Sequence, residues 1–253
     1  MADDAFAGHV VLITGAASGF GHLLAARLSS AGARLVLGDR DAAGLETAAA
    51  LLRVNTPDIV TRVCDVTREA DVEALVATAV SAFGRLDIAV NNAGATGAVK
   101  PLVDTTETDL DFAYAVNAKG VFFGVKHQIR QMLTQEDGGA ILNVSSLAGI
   151  GAGPRLAAYS AAKHAVIGIT RTAAAEHARD NIRVNAVCPY YSPTPLLSDG
   201  PLAGRAGRLA EGSPMKRLPA PEEVVAAMIA LIAPDNSFVN GQALAVDGGI
   251  SAF

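Results

Sequence analysis

The segment Thr14-Gly15-Ala16-Ala17-Ser18-Gly19-Phe20-Gly21 constrains this chain most, because it joins a strand-like run, Val10-Val11-Leu12-Ile13, to a helical pattern, Leu23 to Leu28. Glycines clustered where a helix begins permit positive φ and close approach of the backbone to a ligand. The helix start adds unpaired N–H groups and positive potential, so the turn is physically prepared for phosphate. Its spacing is G-x-x-x-G-x-G rather than the commoner G-x-G-x-x-G, and such a turn also serves as a plain strand-to-helix connection.

Short aliphatic or β-branched runs alternate with longer alanine-rich helical patterns from end to end, the mark of βαβ units. Strands are expected near His9–Thr14, Arg34–Asp39, Ile59–Cys64, Leu86–Asn91, Ala140–Ser145, Arg183–Val187 and Ala243–Val246. Several are nearly continuous apolar runs, as happens where helices cover both faces of a parallel sheet. The reading is a doubly wound α/β fold with a seven-stranded, mostly parallel sheet, in one domain spanning residues 1–253. A stretch rich in Pro and Gly follows Cys188, and a long loop at about 188–215 is expected to act as a lid.

Asp39 ends the second strand and follows Gly15 by 24 residues, close to the interval at which an acidic side chain meets an adenosine ribose. A carboxylate there accepts from ribose hydroxyls and repels a 2′-phosphate, which favours NAD. Arg40 comes next and would face such a phosphate, so NADP is the alternative. Asp65, in Cys64-Asp65-Val66, stands on the same carboxyl edge of the sheet, where open α/β folds bind ligands; by position it is equally an N-cap for the helix near Arg68. Asn91-Asn92-Ala93-Gly94 follows the fourth strand with small polar residues at that edge, and a simple turn would look the same.

Tyr159 and Lys163 lie one turn apart within a helical pattern that runs to Glu176, so a phenol and an ammonium share a face. The cation favours the phenolate and lowers a pKa ordinarily about 10. Alone, such a pair is most often a surface feature, but Ser146 precedes Tyr159 by thirteen residues and emerges at the carboxyl end of the fifth strand. No G-x-S-x-G elbow surrounds Ser146, which argues against a hydrolase nucleophile. Asn117 is a polar, poor helix former inside the apolar helical run Tyr114 to Val125.

Taken together, these motifs resemble the short-chain dehydrogenase/reductase family in its single-domain form of roughly 250 residues. The resemblance covers the whole chain and rests on Thr14-Gly-x-x-x-Gly-x-Gly21, Asn91-Asn-Ala-Gly94, Asn117, Ser146, Tyr159-x-x-x-Lys163, Asn185 to Pro189 and Asp247-Gly248-Gly249, all in order. It implies that Tyr159 is the general acid/base, that Ser146 orients the substrate oxygen, that Lys163 holds the nicotinamide ribose and depresses the Tyr159 pKa, and that Asn117 positions a water in a proton path. It also implies a cofactor lining of Gly15, Ser18, Gly19, Phe20, Gly21, Asp39, Arg40, Asp65, Val66, Asn92, Ala93 and Gly94, with Pro189 and Thr194 at the nicotinamide end beside Tyr159 and Lys163. Tyr190 stands where the family usually has glycine after the proline; the ring either stacks on a ligand or packs the lid. Phe20 replaces a residue that is often aliphatic.

The expected substrate is a secondary alcohol or ketone of apolar, ring or alkyl character, because Ala95 to Gly97, Leu147 to Arg155 and the lid residues Tyr190, Tyr191, Leu196, Leu197, Leu202 and Met215 are mainly apolar. Arg205 and Arg208 are read as solvated helix-face charges. Two rival classes are a nucleotide sensor without catalysis, opposed by the complete set Asn117, Ser146, Tyr159 and Lys163, and a hydrolase or lyase, opposed by the intact glycine turn with Asp39. A net charge of -5 without a basic cluster argues against nucleic acid, and no apolar run is long enough for a membrane span. A cytoplasmic protein is expected, and the 51% hydrophobic content suits a homotetramer of the kind the family commonly forms. Cys64 and Cys188 lack metal-ligand spacing and read as buried free thiols, with no metal site.

Overall fold

The computed structural model describes residues 5–54, 56 and 58–252. Its strands are β1 (Val10–Thr14), β2 (Arg34–Asp39), β3 (Ile59–Val63), β4 (Ile88–Asn91), β5 (Gly139–Val144), β6 (Ile182–Pro189) and β7 (Ala243–Val246). Every pairing is parallel, in the order β3-β2-β1-β4-β5-β6-β7. The seven strands lie within two residues of the expected places. β6 runs on through Cys188 and Pro189 because both pair with β7.

The α-helices are α1 (Gly19–Ser30), α2 (Ala42–Arg53), α3 (Glu69–Phe83), α4 (Glu107–Tyr114), α5 (Gly120–Met132), α6 (Ala157–His177), α7 (Pro195–Ser198), α8 (Ala206–Gly212) and α9 (Pro221–Ile232). Local chemistry sets several ends. Asp41 accepts from the Gly44 amide to start α2, Thr106 and Asp109 form a reciprocal capping box on α4, and α3 stops at Gly84 with φ of 80°.

Side chains alternate across the sheet and feed two cores. Val11, Ile13, Leu35 and Leu37 pack with Leu24 and Leu28 of α1 and Met228 of α9. Val10, Leu12 and Val36 point to the other face, against Leu75 of α3, Val125 of α5 and Val166 of α6. Strands buried on both sides need no polar face, which is why they read as continuous apolar runs. Both cysteines are free and buried, and among the described residues no helix is long and apolar enough to cross a membrane and no cluster fits a metal ion.

The strand order reverses between β1 and β4, so the connections from these two strands leave in opposite directions and open a crevice at their carboxyl ends. At the opposite edge of the sheet, Arg183 is buried without a carboxylate and donates instead to the carbonyls of Leu231 (3.0 Å), Ala233 (3.1 Å) and Val239 (3.2 Å), closing the end of α9. Replacing Arg183 with Ala strands these acceptors and empties the space beneath the helix. The variant should lose about 2–4 kcal/mol of stability in urea unfolding, and a change below about 0.5 kcal/mol would show that the guanidinium does not hold α9.

Candidate active site

The crevice is built by one set of short contacts between β1 and β4. Thr14 Oγ1 accepts from the amides of Asn92 (3.0 Å) and Ala93 (3.1 Å), while Asn92 Nδ2 donates to the carbonyls of Thr14 (2.9 Å) and Gly15 (3.0 Å). Gly15 has φ of 67°, and a Cβ there would sit 2.9 Å from Ala93 Cα. A Cβ on Gly21 would collide with the Gly15 carbonyl, so α1 packs directly on its own turn. Ser18 does not cap α1 with its side chain, and among the described residues the amides of Gly19, Phe20 and Gly21 have no protein acceptor. Unspent donors at a helix start are what a pyrophosphate requires.

Asp39 does more than end β2. Its Oδ2 accepts from the Ala17 amide and its Oδ1 from the Asp41 amide, each at 3.0 Å, so the carboxylate ties the glycine turn to the second strand. Arg40 stands exposed beside it. Asp65 accepts from the Thr67 amide (3.0 Å) and hydroxyl (2.8 Å), and these bonds hold its carboxyl below the usual range. It braces the turn before α3 rather than capping the helix, whose N-cap position is Arg68. Val66 packs over Gly120, where a Cβ would meet it at 3.0 Å.

At the other end of the crevice β5 delivers Ser145 and Ser146, and α6 delivers Tyr159 and Lys163. Ser145 Oγ donates to the Lys163 carbonyl (2.9 Å), fixing the helix to the strand end. Lys163 Nζ donates to the Val144 carbonyl (2.8 Å) and lies 5.6 Å from the centre of the Tyr159 ring. Burial pushes the Lys163 amine down to about 8 and the Tyr159 phenol up to about 12, with the Ser146 hydroxyl pulling the phenol back in part. The shift runs opposite to the lowering expected beside Lys163, because burial removes the water that would solvate the phenolate.

Asn117 does not sit in a regular helix. The run from Tyr114 to Val125 is broken by a π-helical turn, Ala115–Lys119, between α4 and α5. The wider turn lets Asn117, fully buried, bracket the backbone of Ala95, accepting from its amide (3.1 Å) and donating to its carbonyl (2.9 Å). A Cβ on Gly94 would lie 3.0 Å from Asn117 Oδ1 and 3.5 Å from Lys163 Nζ, so the three groups meet. Such bulges concentrate at functional positions, and the only sequence trace of this one is an asparagine among apolar residues.

A single cavity of about 770 Å³ runs from Asp39 and Arg40, past the glycine turn, to Ser146, Tyr159 and Lys163 and on beneath the lid. Each expected cofactor residue from Gly15 to Thr194 borders it except Gly21, which stands behind the wall, as does Asn117. Thr194 and Pro195 close the space over Gly19, with Thr194 Cβ 3.6 Å from where a Gly19 Cβ would be, and Pro189 borders the same cavity. The segment at about 188–215, expected as a lid, is not a plain loop but carries α7 and α8. Tyr190 donates from its hydroxyl to the Leu209 carbonyl (3.0 Å) and packs edge-on against Tyr191 at 4.9 Å, so it serves the lid. Met215 does not reach the cavity; it lies over Gly248, half exposed. Val116, Thr67 and Ile250 do border the cavity, and nothing in their sequence surroundings signals it.

A family model described as "Enoyl-(Acyl carrier protein) reductase" matches residues 15–251. Levodione reductase from Leifsonia aquatica is 36% identical, the match covering 98% of this chain and 96% of the relative, and cis-4-hydroxycyclohexanecarboxylate dehydrogenase from Sinomonas cyclohexanicum is 40% identical over 98% and 99%. The crystal structure of 3-ketoacyl-(acyl-carrier-protein) reductase from Brucella melitensis complexed with NADH superposes with a TM-score of 0.90 at 36% identity, covering 97% of this chain and 99% of that one. A parallel sheet with a glycine turn at its switch point and a Ser–Tyr–Lys group at the other end of one cleft defines a nicotinamide-dependent oxidoreductase. The chain belongs to the short-chain dehydrogenase/reductase family.

Since any side chain on Gly21 must push the turn open, Gly21→Ala should weaken NADH binding at least tenfold, read by fluorescence titration. Binding within twofold of wild type would mean that the turn does not carry the dinucleotide.

Proposed function

We propose that this protein is an NAD-dependent dehydrogenase that interconverts a secondary alcohol and a ketone on an apolar ring. The observation that carries the reading is the continuity of the cavity from the Asp39-anchored turn to Ser146, Tyr159 and Lys163. A dinucleotide laid along it would place its phosphates on the free amides of α1, its adenosine ribose by Asp39 and its reactive ring before Tyr159. Asp39, ordered by two amides, would face the ribose and oppose a 2′-phosphate. Arg40 borders the cavity as well and favours the NADP reading, which is the alternative.

When bound, the oxidised nicotinamide supplies a hydride acceptor and a positive charge. In alcohol oxidation the Tyr159 phenolate takes the hydroxyl proton, while Ser146 holds the substrate oxygen. Lys163, 5.6 Å from the Tyr159 ring, stabilises the phenolate as a cation and would hold the nicotinamide ribose. Asn117 acts by bracing Ala95 and the π turn, from which a water chain to solvent is built. Reduction runs these steps backwards, with neutral Tyr159 as the acid. Its phenol, pushed up to about 12 by burial, is well suited to that direction, whereas oxidation gains with rising pH because it needs the phenolate.

The apolar ring is supported by Leu147, Tyr191, Leu197, Leu202, Leu209 and Ile250 in the cavity wall and by two relatives whose names denote ring compounds. A homotetramer accounts for the exposed Leu110, Phe112, Tyr114 and Phe122 around α4 and α5.

Reduction of NAD+ followed at 340 nm across cyclic, aromatic and aliphatic secondary alcohols should give turnover with the cyclic members, and Tyr159→Phe should lower it at least a thousandfold while NADH affinity stays within about threefold. Turnover retained by Tyr159→Phe contradicts the assignment.

A further inference from the structure

The cavity beyond Tyr159 is not closed by carbon alone. Three arginines, Arg155, Arg205 and Arg208, border it, and among the described residues none has a carboxylate within ion-pair range or a side-chain hydrogen bond to protein. The only acids that line the cavity, Asp39 and Asp65, belong to the turns at the ends of β2 and β3, on the adenosine side. The substrate end is thus a region of unbalanced positive charge inside a mainly apolar wall.

The three side chains are exposed at the rim of the cavity, and the backbone that carries them is held. Arg205 is the N-cap residue of α8 and Arg208 lies three residues on in its first turn, and both border the cavity. That helix is fastened to the cavity floor by the Tyr190 hydroxyl on the Leu209 carbonyl. Arg155 adopts φ of 66°, a left-handed conformation that a non-glycine residue rarely takes, and its carbonyl is pinned by the Lys100 amide at 2.9 Å. Tyr191 borders the same cavity: it is half-buried, and among the described residues its hydroxyl has no hydrogen-bond partner. It lies close enough to Tyr159 to oppose ionisation there, and close enough to Arg205 for the cation to favour its own.

We propose that the ring substrate carries a carboxylate on the side away from the reacting carbon, received by Arg205 and Arg208 with Arg155 at the mouth and with Tyr191 lining the path between. The inference rests on the ring alcohol/ketone reading given above and adds the charge of the substrate to it. In this arrangement the residue that departs from the family pattern, Tyr190, holds the arginine-bearing helix over the cleft, and Tyr191 measures the distance from the reacting oxygen to the anion.

The test compares 3- and 4-oxocyclohexanecarboxylate with their methyl esters as substrates for NADH oxidation by the intact protein, and measures binding of cyclohexanecarboxylate, which has no reacting carbonyl, to the NADH-loaded protein by calorimetry. At least one acid should exceed its ester at least tenfold in kcat/KM at low salt, with the ratio falling in 0.5 M NaCl. Arg205→Gln and Arg208→Gln, both at exposed positions, should each cut the acid-to-ester ratio at least fivefold, and Arg205→Lys should restore part of it. Equal use of acids and esters overturns the inference and leaves the ring-ketone reading standing. No turnover of any of them, with cyclohexanecarboxylate bound by wild type and lost in Arg205→Gln, upholds the anion site and overturns the ring-ketone reading; no turnover and no binding overturns both.

Discussion

The junction of Thr14, Gly15 and Asn92 is the contact on which the rest of the site depends. Two parallel strands whose connections depart in opposite directions would leave their carboxyl ends unsupported, and here the Asn92 side chain and the Thr14 hydroxyl join them with four hydrogen bonds. Gly15 and Gly21 make the junction possible, because a Cβ at either place would strike backbone. With the crevice fixed, α1 presents free amides at one side, and the strand ends of β4 and β5 present Gly94 and Ser146 at the other. The candidate cofactor site and the candidate reacting site therefore both follow from one seam in the sheet.

The reacting end is costly in electrostatic terms. A buried amine pushed down to about 8 and a phenol pushed up to about 12 both resist the charged form, and Lys163 keeps a single carbonyl partner in the protein. An environment that disfavours charge through burial responds strongly to a neighbouring charge, since the same low dielectric magnifies each added interaction. The tyrosine thus depends on what binds beside it.

Much of this was legible in the sequence, for a physical reason. Doubly buried strands must be apolar throughout, so β1 and β2 announce themselves, and a glycine turn followed by Asp39 has few other uses. Tyr159 and Lys163 could be paired because helical spacing is rigid. What stayed hidden depends on three-dimensional closure. The π turn around Asn117 differs from a plain helix by one residue of register, and no local propensity encodes it. Asp39 reads in the sequence as a candidate ribose partner but not as the clamp on Ala17, and Asp65, open there to both a cofactor-edge and a helix-cap reading, does not cap the helix, which starts at Glu69. The orientation of Tyr190, which the sequence left open, follows from the placing of α8, and the inclusion of Arg205 and Arg208 in the cavity wall follows from the same helix.

The central claim is that the cleft holds a dinucleotide without a 2′-phosphate, with Asp39 at the ribose. Calorimetric titration of the wild-type protein with NADH and with NADPH tests it most directly. The account predicts NADH binding at least tenfold tighter than NADPH. Equal affinities, or tighter binding of NADPH, would contradict it and assign the edge of the cleft to Arg40.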